Sequence, residues 1–152
     1  MNDPKQILAN AKRILLIDWP STALPRALIA RGFTVFAHSP NKYSEASVVL
    51  DLPADAEGIS DLPPKDETET GYLVFRRLDA PPDKIDIVNV YRPEEEMAGI
   101  IERHALPLGA KVLWLQPPNT SAMAASLAAA NRLDFVEGID ISTVAIQSGS
   151  SA

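Results

Sequence analysis

The chain contains no cysteine among its 152 residues. That absence excludes disulfides, thiolate metal centres and a cysteine nucleophile, and it leaves the redox compartment unread. A metal would have to rely on His38 and His104 together with carboxylates, and these residues show no ligand spacing along the chain. No apolar run approaches the roughly eighteen residues that a membrane span requires. The opening Met1-Asn2-Asp3-Pro4-Lys5-Gln6 has no basic stretch leading into a long apolar one, so no membrane association is expected and the cytoplasm is the default location. Basic charge is scarce as well: 14 Lys and Arg stand against 20 Asp and Glu, for a formal charge of -6. Nonspecific nucleic-acid binding, which draws its affinity from clustered cations on phosphates, is not expected. An anionic small molecule stays compatible with cations concentrated locally. Internal repeats and heptads are also missing.

What is present suits one soluble domain, with an ordinary apolar share of 46%. Residues 5–12 read as a short leading helix. Arg13-Ile14-Leu15-Leu16-Ile17-Asp18 is a continuous apolar run of the kind found in a strand buried on both faces. Ser21 or Thr22 can cap the next helix, in which Leu24, Ala27 and Leu28 share a face, and Gly32 ends it. Phe33 to His38 is a second strand that stops at Ser39-Pro40. Residues 44–70 are acidic and carry Pro53, Pro63 and Pro64, with a faint strand signal only over Ser47 to Leu52. This insert reads as a solvated surface excursion, with a lid over a ligand edge as the other reading. Gly71 to Leu78 can pair as an edge strand.

Two segments then repeat one design. Ile85-Asp86-Ile87-Val88-Asn89-Val90-Tyr91-Arg92-Pro93 and Ala110-Lys111-Val112-Leu113-Trp114-Leu115-Gln116-Pro117 each run from an apolar strand into a polar residue, proline and a helix. Such a residue lies at the carboxyl edge of a parallel sheet, where open α/β folds bind ligands. Met97, Ile100, Ile101 and His104 share one face of the helix after Pro93, so His104 reads first as a core-edge residue. Asn119, Thr120 or Ser121 can cap a helix with Met123, Leu127 and Ala128 inward, and Leu133 to Val136 is a last short strand. Alternating strands and helices predict an α/β, Rossmann-like, doubly wound fold in three layers, with a mainly parallel sheet of about five strands. One domain over 1–146 and a disordered tail over 147–152 complete the expectation.

These motifs resemble the small bacterial CoA-binding proteins, which are similar to the CoA-binding domain at the front of the succinyl-CoA synthetase alpha subunit. The resemblance covers about residues 13–141 outside the insert. It rests on Arg31-Gly32-Phe33-Thr34-Val35-Phe36 with Pro40, on Val88 to Glu95, and on Gly109 to Gln116. It implies CoA held by its nucleotide end, with contacts from Trp19, Pro20, Ser21 and Thr22, from Ser39, Pro40 and Lys42, from Arg92 with Pro93, and from Gln116 with Pro117. The family normally has a glycine in the first turn, where this chain places Asp18-Trp19-Pro20-Ser21. A carboxylate about 4 Å from a phosphate costs on the order of 4 kcal/mol at an effective dielectric near 20. Binding therefore requires Asp18 to turn away or to pair with Arg26 or Arg92. The family's arginine-cysteine pair after the last strand is replaced by Glu137-Gly138-Ile139-Asp140.

Each residue also has a plainer role. Arg92 can pair with Glu94, Glu95 or Glu96, Trp114 can pack in the core, and Lys42 can be a solvated loop lysine. Asp18 in the position of a general base has no identifiable nucleophile or acid beside it. NAD is disfavoured, because the glycine-rich fingerprint and an acid after the second strand are both missing. The expectation is a noncatalytic module for CoA, acyl-CoA or a related adenine nucleotide. The alternative is a degenerate member that has lost the nucleotide and works through a protein partner. A homodimer is compatible with either.

Overall fold

The computed structural model describes residues 3–38, 42–49 and 72–148. Its elements run α1 (Pro4–Ala9), β1 (Arg13–Ile17), α2 (Ala23–Ala30), β2 (Thr34–His38), β3 (Tyr43–Val49), β4 (Tyr72–Arg77) and β5 (Ile87–Val90). A 3-10 turn (Glu94–Glu96), α3 (Met97–Ile100) and a π turn (Ile101–Ala105) follow as one helical segment, then β6 (Val112–Leu115), α4 (Ala122–Ala130), β7 (Asp134–Glu137) and α5 (Ile141–Ser148).

The strands form one seven-stranded sheet in the order β4-β3-β2-β1-β5-β6-β7. β2, β1, β5, β6 and β7 are parallel and make the expected Rossmann-like core; β3 and β4 extend it with antiparallel pairing. The sheet thus exceeds the expected five or so strands, because the segment after His38 pairs at once. β3 opens at Tyr43, earlier than the faint signal at Ser47, and takes the first residues of the expected insert. Tyr43 lies opposite His38 and Ala46 opposite Val35. Residues 50–71 lie outside the described residues, as does the lid reading attached to them.

β1 shows why its sequence is apolar throughout. Ile14 and Leu16 point into one core with Leu8 of α1, Leu24 and Leu28 of α2, and Ile141 and Val144 of α5. Leu15 and Ile17 point into the other, with Met97, Ile100, Ile101 and Ala105 of the α3 segment and Ala124 and Ala128 of α4. Helices cover both faces, which gives three layers and demands apolar residues at every strand position. Trp114 is fully buried, and its indole N–H donates to the Ile139 carbonyl at 2.9 Å, so its role is in the core. Met123 is 43% exposed rather than inward; Ala124 and Ala128 take that face of α4. Gly32, at φ +92°, makes the left-handed exit from α2 that was expected of it. α5 is an addition, since no helix was expected after β7, and it runs through Ser148 into the expected tail. Among the described residues no helix is long and apolar enough to cross a membrane.

Gln116 joins the right-hand half of this fold. It is 1% exposed, and its Oε1 accepts from Asn89 Nδ2 and from the Ile141 backbone N–H, both at 3.1 Å. One buried amide thus ties β5, the end of β6 and the start of α5. Gln116→Leu would leave two buried donors without a partner, and we expect a loss of about 2–4 kcal/mol, read as a lower urea midpoint with unchanged slope. An unshifted midpoint would show that this amide is not the joint.

Candidate functional site

The chain leaves β1 towards α2 on one face of the sheet and leaves β5 towards α3 on the other. The carboxyl ends of these two neighbouring strands therefore splay apart, and the gap between them is where open α/β sheets accept ligands. A cleft of about 640 Å³ opens here. Asp18 and Arg92 stand at its strand side, His38 closes it from the end of β2, and Glu96, Arg103 and His104 line it from the α3 segment.

Asp18 and Arg92 meet across the gap. Asp18 adopts φ +65°, the left-handed conformation that glycine takes freely and that aspartate tolerates better than most residues. The turn therefore retains a glycine-like shape with a carboxylate on it. Its Oδ1 accepts the Trp19 backbone N–H at 2.9 Å, and its Oδ2 accepts Arg92 Nη1 at 3.1 Å. Arg92 also donates from Nη2 to Glu96 at 2.6 Å and from Nε to the same carboxylate at 3.0 Å. The Glu96 hydrogen bonds, followed by those of Asp18, raise the guanidinium above its ordinary pKa, and Glu96 is lowered in return. Both reserved outcomes occur together: Asp18 pairs with Arg92, and Arg92 pairs with a glutamate of its own helix. The carboxylate of Asp18 accepts from a turn amide and a guanidinium, both of them donors of the kind that hold anions.

The other expected contacts divide. Ser21, Thr22 and Pro20 are exposed at the start of α2, where Thr22 makes no side-chain cap bond and the first turn carries no acid. Trp19 turns away from the cleft and stacks on Phe75 of β4, with centroids 5.0 Å apart, because the flat indole is better buried against a ring than held in the turn. Gln116 is committed to its internal bonds and offers no free amide to a ligand. Pro93 is exposed and Pro117 half-buried, and neither lines the cleft. Lys42 is exposed and likewise outside its lining, whereas Ser39 and Pro40 lie outside the described residues. At the start of α4, Ser121 caps Ala124 N–H, its hydroxyl donates to Glu94, and its own N–H donates to Glu137 at 2.9 Å. The chain's own carboxylates thus fill the α4 start, while the α2 start has none.

A cluster that the sequence did not bring together lies beside Arg103. The rings of His38 and His104 are 4.3 Å apart, and Tyr43 Oη lies 2.6 Å from His104 Nδ1. Burial, then the charges of His38 and Arg103, push His104 down to about 4; burial also lowers His38, despite an opposing backbone hydrogen bond. Both imidazoles are neutral at pH 7. With its proton on Nε2, His104 accepts the phenol O–H at Nδ1. The available sequence signal was helical spacing, since Glu96, Ile100, Arg103 and His104 fall on one stripe. That signal named a face without naming what it faces. Among the described residues no group of three or more histidines and carboxylates is placed to hold a metal ion.

The CoA binding domain family matches residues 18–141. No curated protein matches. Among solved structures, Prb, a protein redesigned for binding, superposes with a TM-score of 0.63 at 18% identity, covering 95% of this chain and 88% of its own. A hypothetical protein from Pyrococcus horikoshii OT3 gives 0.61 at 18% identity, with the same coverage of 95% and 88%. Cell-free ID.343 from Thermus thermophilus gives 0.59 at 18% identity, covering 98% of this chain and all (100%) of that one. At these identities the likeness is one of fold.

The histidine pair sets a pH dependence. Because the folded pKa of His104 lies near 4, below its ordinary 6.5, the unfolded chain binds more protons between those values. Stability is therefore full above about pH 6.5 and falls as pH drops towards 4. In thermal melts at pH 7, 5.5 and 4.5, His104→Asn, which keeps an acceptor for Tyr43, should lose less of its melting temperature than the wild type. Parallel loss in both would assign the acid sensitivity elsewhere.

Proposed function

We propose that this chain, which belongs to the CoA binding domain family, is a noncatalytic binding module for CoA or a related adenine nucleotide. The observation that carries the reading is the cleft between the ends of β1 and β5, at the ligand-accepting edge of the sheet and with two arginines, Arg92 and Arg103, in its lining. Guanidinium groups at such an edge suit a phosphate. β2 ends in His38, not in the acid that would hold an NAD ribose, which supports CoA over NAD. The residues that would meet the ligand are those of the helical wall of the cleft; Ser21 and Thr22 of the turn after β1 are exposed but outside its lining. Bound CoA supplies an acyl-carrying thiol; this chain orients the nucleotide end.

One observation favours a second reading. Arg92, the cation that the family resemblance assigns to the ligand, is engaged by Asp18 and Glu96. A member that fills its own anion position can work through protein contacts without a nucleotide. The two readings separate by titration calorimetry with CoA, acyl-CoA, ATP and NAD at modest salt.

CoA should give heat in the wild type. Asp18→Asn keeps an acceptor for the Trp19 amide and tolerates the left-handed backbone while removing one negative charge. It should tighten CoA by about twofold to fivefold, the scale of a single exposed charge interaction. Silence from both proteins, under conditions that detect a complex of roughly 100 µM, would remove the CoA reading and leave the protein-contact one.

A further inference from the structure

We propose that Arg103 is the cation that receives a phosphate group of the ligand in this cleft. The assignment rests on the CoA reading above and specifies which side chain supplies the charge. Two cations line the cleft, and they differ in how they are engaged. Arg92 spends Nε, Nη1 and Nη2 on Glu96 and Asp18. A phosphate approaching it must displace a carboxylate or sit beside two of them, and like charges repel strongly at that range. Among the described residues no hydrogen bond or ion pair engages Arg103.

Its position is also built. Arg103 follows Gly99 by one helical turn, and both line the cleft. A Cβ added to Gly99 would lie 3.7 Å from Arg103 Cζ and Nη1, so the guanidinium lies across the face that this glycine leaves bare. The π turn Ile101–Ala105 carries Arg103 and His104 together, a local widening of the helix that recurs at functional sites. His38 and His104 beside it are uncharged at pH 7, so they neither neutralise Arg103 nor compete for an anion. A planar guanidinium whose donors no described residue takes, in a cleft walled by neutral imidazoles, is suited to hold phosphate oxygens in pairs.

The test measures binding of CoA, dephospho-CoA and pantetheine to the wild type, Arg103→Ala, Arg103→Lys and the charge-matched surface variant Lys5→Ala. Arg103→Ala should weaken CoA by about tenfold to a hundredfold, with partial recovery in Arg103→Lys, no change in Lys5→Ala, and pantetheine, which has no phosphate, unaffected. Equal sensitivity of dephospho-CoA would place Arg103 on the pyrophosphate; lost sensitivity would place it on the 3′-phosphate. Unchanged CoA affinity in Arg103→Ala would overturn the assignment while leaving the CoA reading intact, and an equal loss for pantetheine would overturn it as a structural effect. Inorganic pyrophosphate is the second probe. If CoA is silent but pyrophosphate binds and depends on Arg103, the cation site stands without the CoA reading; silence of both probes overturns both.

Discussion

The ion pair between Asp18 and Arg92 spans the seam where the two halves of the sheet diverge, and the character of the cleft depends on it. β1 and β5 are adjacent, yet their helices leave on opposite faces, so nothing in the sheet itself closes the gap above their ends. A side-chain bridge does. The pair is weak as a source of stability, because both partners are about half exposed, and exposed pairs contribute roughly 0.2–1 kcal/mol. Its effect is on charge: it uses the cation nearest the turn and leaves the helical wall to supply another.

Carboxylates recur at places where related folds present donors to a ligand. Asp18 accepts from the first turn, Glu96 grips Arg92, and Glu94 with Glu137 surrounds the cap of α4. Each satisfies groups that otherwise face water, in a chain whose acids outnumber its bases. Among the described residues, the cleft arginine left without a carboxylate is Arg103.

The parallel core and its two polar turns were legible because they rest on short-range physics. Apolar runs buried on both faces and Gly32 at the end of α2 are local signals that survive folding unchanged. α5 was not legible, since Ile141-Ser142-Thr143-Val144 is rich in β-branched residues that favour strands, and only packing against α1 and α2 makes it helical. In α4 nearly every position is apolar, so periodicity had no means of choosing Ala124 over Met123. The site divided in the same way. The Asp18–Arg92 contact followed from charge and strand order, whereas the meeting of His38, Tyr43 and His104 needed the pairing of β2 with β3, which no local pattern encodes.

The added strands β3 and β4 touch the walls of the site from behind through two rings, Phe75 against Trp19, which follows Asp18, and Tyr43 against His104. Both contacts are made by residues flanking 50–71, and neither is made within it. These two rings brace the turn after β1 and the helical wall from outside the parallel core, so changes at Phe75 and Tyr43 are felt at both walls of the cleft without altering any residue of its lining.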